Sequence, residues 1–157
     1  DNTPLRDWKT SNYEGGIRVP CVFYWKDHLK KYKNESYISI IDLLPSILFV
    51  AGDNNLPKSI EGKNVWSSIA ENKQIENQEI YVRGHLQESL IQKPWKIIRT
   101  RHADPVPAEY ELYNIEKDPQ EKNNVVLHNK AIAGKMTIAL ENQFKKDAKS
   151  VNYEKIR

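Results

Sequence analysis

The sequence predicts an α+β organisation in two parts. Residues 1–72 form a helix-and-loop segment, and residues 73–157 form about four short antiparallel strands packed on a terminal helix. Three observations carry this. Glu79–Val82, Ser89–Gln92, Trp95–Arg99 and Glu111–Asn114 are short runs with strand character, separated by polar, Gly- or Pro-containing connections. Asn129–Ala148 places Ile132, Met136, Ala139, Leu140 and Phe144 at helical spacing. Between the parts, Glu71–Gln78 is polar, and the helix-rich pattern gives way to the strand-rich one.

Taken in order, the chain opens on a polar loop around Lys9 that ends in Gly15-Gly16. Ile17–Trp25 is nearly continuous in apolar residues and predicts a buried strand, with Pro20 marking its end, an edge or a bulge. Cys21, the single cysteine, falls inside that run and reads as a buried structural thiol. Lys26–Ser36 is a polar loop containing the sequon Asn34-Glu35-Ser36. Ser39–Gly52 predicts a helix with Asp42 as N-cap, Pro45 in the first turn and Gly52 at the C-terminal end. Leu44, Ile47, Leu48 and Ala51 give it one apolar face, and Val65, Trp66 and Ile69 predict a further short helix. Ala103–Glu109, with two prolines, is a loop between strands, and Ser150–Arg157 is a polar tail.

Composition excludes some function classes. With 24 Lys and Arg against 21 Asp and Glu, the formal charge is +3, and no long basic run is interleaved with aromatics, so nucleic acid is not an expected partner. No stretch reaches the roughly 18 apolar residues of a membrane-spanning helix. A lone cysteine makes no internal disulfide.

The chemistry concentrates at Pro4-Leu5-Arg6-Asp7-Trp8-Lys9-Thr10-Ser11-Asn12-Tyr13-Glu14-Gly15-Gly16-Ile17-Arg18-Val19-Pro20. Lys9 is a compact cation with three donors, suited to an anion. Gly15-Gly16 removes two side chains in a row, which permits a tight turn or a close approach. A lone loop lysine is commonly only a surface charge.

This stretch resembles the signature of the type I sulfatases of the alkaline phosphatase superfamily, and its spacing is similar to that of the arylsulfatases, including the arylsulfatase B-like branch. Later segments are similar as well: Asp42-Leu43-Leu44-Pro45-Ser46-Ile47-Leu48-Phe49-Val50-Ala51-Gly52, the Trp95-Lys96-Ile97-Ile98 strand, and Glu111-Leu112-Tyr113-Asn114 followed by Asp118-Pro119-Gln120-Glu121. The resemblance implies an α/β sulfatase (alkaline phosphatase-like) fragment. Residues 1–72 would be the C-terminal end of the catalytic domain, and 73–157 the C-terminal α+β subdomain. It implies sulfate-ester hydrolysis, on an aryl sulfate or a sulfated glycan, by an upstream formylglycine nucleophile and a calcium ion. Lys9 matches the lysine that contacts the sulfate and is the catalytic and substrate-binding candidate. Glu14, Gly15, Gly16 and Arg18 match scaffold positions, and Asp7 stands where the family commonly has glycine.

The calcium ligands and the nucleophile are expected upstream. Cys21 is followed by Val22-Phe23-Tyr24-Trp25, which does not fit the nucleophile motif Cys/Ser-x-Pro/Ala-x-Arg, and Asp1-Asn2 offers too few ligands to make a metal site. Of the four histidines, His28 and His128 lie in polar connections and His102 among Arg99, Arg101 and Asp104. His85, after Arg83-Gly84 at a strand end, is the second substrate-binding candidate, because the family's C-terminal subdomain leans over the active-site cleft. The chain alone is expected to be inactive, to pack against the missing N-terminal part, and to belong to an extracytoplasmic protein, whether periplasmic, secreted or lysosomal. Two alternatives stand beside this: a non-catalytic anion- or glycan-binding module using Lys9, Arg6 and Arg18, and a phosphate or phosphonate ester hydrolase of the same superfamily.

Overall fold

A computed structural model describes residues 2–53, 55–57 and 59–147. Asp1, Ala148 and the Ser150–Arg157 tail lie outside them. The chain divides into two compact units: one runs to Ile17 and resumes at Tyr81, and the other is Arg18–Ile80.

The first unit is built on a four-stranded sheet in the order β1 (Glu79–Arg83), β2 (Gln87–Gln92), β3 (Trp95–Thr100), β4 (Glu109–Asn114). β2–β3 and β3–β4 pair antiparallel, with Leu90 opposite Ile97 and Ile97 opposite Leu112. Because side chains alternate along a strand, these three residues form one row on one face. That row packs on Ala133, Met136 and Leu140 of helix α4 (Lys130–Phe144) to make the buried core. The terminal helix therefore forms where its apolar spacing predicts, ending at Phe144.

The opposite face is less ordinary. Its rows are Ile91–Lys96–Tyr113 and Ser89–Ile98–Glu111 by register. Lys96 and Ile98 are fully buried there. What covers them is the N-terminal segment, whose Asn12, Tyr13 and Glu14 are themselves buried. β3 thus sits between α4 and this segment, and both its faces are dry.

The second unit is organised around one carboxylate. Asp42, 2 % exposed, accepts from the amides of Ser39 and Lys63 at 2.9 Å each and from Gln78 Nε2 at 3.0 Å. It closes a 3-10 turn (Ile40–Asp42) rather than capping helix α2 (Leu43–Val50) with its side chain, because its oxygens are already taken. Ser46 Oγ donates to the Asp42 carbonyl and accepts from the Val65 amide, tying α2 to the start of helix α3 (Trp66–Glu71). Val65 and Ile69 are buried as expected. Gly52 ends the α2 segment at φ 84°, a left-handed value that suits glycine.

Two expectations fail in this unit. Ile17–Trp25 contains no strand: Ile17 closes the short helix α1 (Glu14–Ile17), and residues 18–25 are irregular and exposed, with Val22 88 % and Tyr24 84 % open. Cys21 is accordingly an exposed thiol. On α2, Leu44, Ile47 and Phe49 are also open. The Asn34 amide of the sequon donates to the Ser68 carbonyl at 3.0 Å.

Candidate functional site

Lys9 lies on a loop whose shape is set by backbone contacts. Asp7 and Thr10 flank it at φ 65° and 88°. Aspartate tolerates the left-handed region, whereas a β-branched threonine there is strained. The positive φ at Asp7 is the physical reason glycine suits that position, and Asp7 meets it while its Oδ1 accepts from the Trp8 amide at 2.9 Å. Ser11 N and Oγ both donate to the Trp8 carbonyl. The side chain of Lys9 is exposed, and no hydrogen bond or ion pair engages it among the described residues.

The glycine pair provides close approach. Gly15 N donates to the Arg6 carbonyl at 2.9 Å, and a Cβ on Gly15 would lie 2.3 Å from the Asp7 carbonyl oxygen and 2.4 Å from that of Arg6. A Cβ on Gly16 would lie 2.2 Å from the Ser11 carbonyl oxygen. Backbone cannot yield cheaply, so Gly15→Ala should destabilise the protein by about 1–3 kcal/mol and displace the loop. Urea unfolding checks this, and an unchanged midpoint would show that the loop is looser than its contacts imply.

Beneath the loop is a buried ionic cluster. Lys96 Nζ donates to Glu14 Oε1 at 2.9 Å. It also lies 2.8 Å from Glu121 Oε1, an ion pair whose angles fall short of a hydrogen bond. The Glu14 amide donates to Glu121 Oε2 at 2.6 Å. All three side chains are at most 1 % exposed. Burial pushes the Glu121 carboxyl above its usual range and the nearby Glu14 carboxylate adds to this, while Lys96 pulls the other way. Beside the cluster, Arg6 Nη1 donates to Tyr113 Oη and to the Glu121 carbonyl, both at 2.8 Å, with the guanidinium 3.8 Å from the Tyr13 ring centroid. The hydroxyls of Tyr13 and Tyr113 both donate to Glu111. Burial first, and then these bonds to Glu111, raise both phenols.

His85 sits in the exposed turn between β1 and β2. Asn12 joins this turn to the Lys9 loop. Its Nδ2 donates to the Val82 carbonyl at 2.9 Å and to Ser89 Oγ at 3.2 Å, and its amide donates to Gln87 Oε1 at 3.0 Å. Arg101 braces the turn from β3's end, donating from Nη2 to the His85 carbonyl and from its amide to Leu86. Arg101 is paired in turn with Glu88, which is fully buried. The two candidates from the sequence are thus anchored to neighbouring pieces of the same sheet.

The other candidates are otherwise engaged. Arg6 serves the cluster just described, and Arg18 donates to Tyr37 Oη, so two of the three cations of the binding-module reading already have structural partners. His28 stacks on Trp25, and His102 Nε2 stands 3.9 Å from Glu109. Asn2 Nδ2 donates to the Gly15 carbonyl. Among the described residues, no three His, Cys, Asp or Glu side chains are grouped to hold a metal, so the residues present do not fit a calcium site by themselves.

Sequence reasoning missed Lys96, Glu121 and Asn12. One signal existed: Lys96 is a cation inside a run that is otherwise apolar, which calls for a buried counter-charge.

The chain has clear relatives. It is 27 % identical over 146 residues to a sulfatase of Formosa agariphila, covering 82 % of this chain and 26 % of that protein. It is 27 % identical over 161 residues to an N-acetylgalactosamine-6-O-sulfatase of Bacteroides thetaiotaomicron, covering 89 % and 30 %. Among solved structures, Ps i-CgsB in complex with k-i-k-neocarrahexaose superposes with TM-score 0.76 at 29 % identity, over 91 % of this chain and 32 % of that one. The chain therefore spans about 26–30 % of the length of these curated relatives, and the fold is that of the C-terminal part of a sulfatase. The family described as N-sulphoglucosamine sulphohydrolase, C-terminal, matches residues 7–150, and the chain belongs to it.

Proposed function

We propose that the protein carrying this chain hydrolyses a sulfate ester of a carbohydrate, and that Lys9 contacts the sulfate. The observation that carries this is an exposed ammonium, unengaged among the described residues, on a loop anchored at both ends, through the Arg6 side chain before it and the Glu14 amide after it. A cation fixed in advance at the place where negative charge grows lowers the barrier, because no reorganisation is needed during reaction. Lys9 would donate to a sulfate oxygen and offset its charge, and His85 would meet the leaving-group side of the substrate. Formylglycine and calcium, when present, would supply the nucleophile and a Lewis acid, and both are expected from residues outside this chain. The name of the Bacteroides relative favours a sulfated amino sugar as substrate class.

The test is to assay the complete protein on 6-O-sulfated N-acetylgalactosamine, an aryl sulfate and the matching phosphate ester. Turnover of the sulfated sugar above the other two is the expected result. Preference for the phosphate ester would move the protein to another branch of the superfamily, and turnover of none of them would favour a binding module.

We further infer that residues 1–72 complete a catalytic domain whose remainder covers the open apolar side chains Val22, Tyr24, Leu44 and Ile47. The site of action would be extracytoplasmic. Ile47→Lys should leave the isolated chain as stable as before and lower the melting temperature of the complete enzyme. Equal melting temperatures in the complete enzyme would show that this face stays open.

A further inference from the structure

We propose that Glu121, with Lys96 and Glu14, is the positioning device for Lys9. The inference rests on the reading of Lys9 as the sulfate-contacting cation. Glu121 holds both ends of the loop that carries it. Its carbonyl accepts from Arg6 Nη1 at 2.8 Å, three residues before Lys9, and its Oε2 accepts from the Glu14 amide at 2.6 Å, five residues after. These anchors reach across 115 and 107 residues of sequence. Lys96 then locks the arrangement from the middle of the sheet, at 2.9 Å from Glu14 and 2.8 Å from Glu121.

Glu121 is shaped for the task. It sits at φ 52°, in a turn where its amide donates to the Asp118 carbonyl and the Asp118 carboxylate accepts from the Lys122 and Asn123 amides. That conformation presents its carbonyl and carboxylate to the two loop ends together. A buried ionic cluster is a poor source of net stability, because desolvation offsets attraction, yet it tolerates few alternative arrangements. Its yield is a defined geometry, and the piece of geometry it defines is the path of residues 6–14. The Asn12 bonds to Val82, Gln87 and Ser89 fix the same path from the β1–β2 side.

The experiment uses the complete enzyme and a sulfated substrate that it turns over. Glu121→Ala removes the carboxylate anchor and should lower kcat by about 10-fold or more with a smaller change in KM, since small misplacements of a catalytic group are costly. On a Lys9→Ala background the same substitution should cost almost nothing further, because its effect passes through Lys9. A simple loss of folded protein would lower activity equally on both backgrounds. Where Glu121→Ala does not fold, the near-isosteric Glu121→Gln is measured in its place, with Glu121→Asp as the conservative variant expected to restore part of the rate. A folded Glu121 variant with wild-type kcat overturns the inference, and so does an undiminished loss on the Lys9→Ala background. If Lys9→Ala itself retains full activity, the fault lies with the reading of Lys9.

Discussion

Replacing Lys96 by methionine should destabilise the protein by about 3–5 kcal/mol, the scale set by removing one partner from a buried ionic group. Methionine fills most of the volume, so the loss is not mainly a cavity. What remains is two carboxyl groups, Glu14 and Glu121, facing each other with no cation and no access to water. The effect should depend on pH with a definite sign. Glu121 is held above its usual range in the folded protein, so the folded form binds that proton more tightly than the unfolded form does. Its contribution to stability is complete below the ordinary glutamate pKa and is lost as pH rises through the raised value. Without Lys96 the raise grows, because Lys96 is the influence that opposes it. The variant should therefore lose less stability at about pH 5 than at about pH 8. Urea midpoints of both proteins at the two pH values decide the matter. A penalty that is larger in acid would mean that the ionised carboxylates find other partners in the variant.

Local chemistry was readable, and long-range pairing was not. The strands of the sheet announce themselves by short β-rich runs, and α4 by its spacing, because both patterns arise from how an element buries one of its own faces. The turn at Gly15-Gly16 was equally legible as a close approach, and the structure supplies the Arg6, Asp7 and Ser11 carbonyls that make it close. Residues 17–25 show the limit. Their apolar run says neither whether it is buried nor in which backbone form, and here Ile17 closes α1 while residues 18–25 are irregular and open. Cys21 was placed wrongly for the same reason. The cluster under Lys9 was invisible because its members stand at residues 14, 96 and 121, and only the register of β3 with β4 and the turn at Glu121 bring them together. Asp42 illustrates a partial reading. It stands at the N-cap of α2, as its residue type suits, but its carboxylate makes no cap bond there and joins three separate segments instead.

Lys9→Ala should lower kcat/KM of the complete enzyme by about 10²- to 10³-fold, the usual cost of removing one preorganised donor from a developing oxyanion. Stability should not change, because the side chain is exposed and, among the described residues, supports nothing. The split between the constants is informative. Removing a donor that meets the sulfate equally in the bound and transition states would raise KM alone, whereas removing one aimed at growing charge lowers kcat. The loop argues for the second. Asp7 and Thr10 hold the backbone on either side of Lys9 in left-handed conformations, and such strain is kept where geometry must be fixed before the substrate arrives. Lys9→Arg should recover only part of the rate, since a planar fork on a longer arm does not reproduce a compact point charge. The same substitutions can be read against inorganic sulfate as a competitive inhibitor. Weaker inhibition of Lys9→Ala would place the ammonium at the anion, while unchanged inhibition with unchanged turnover would leave Lys9 an ordinary surface lysine on an unusually well-held loop.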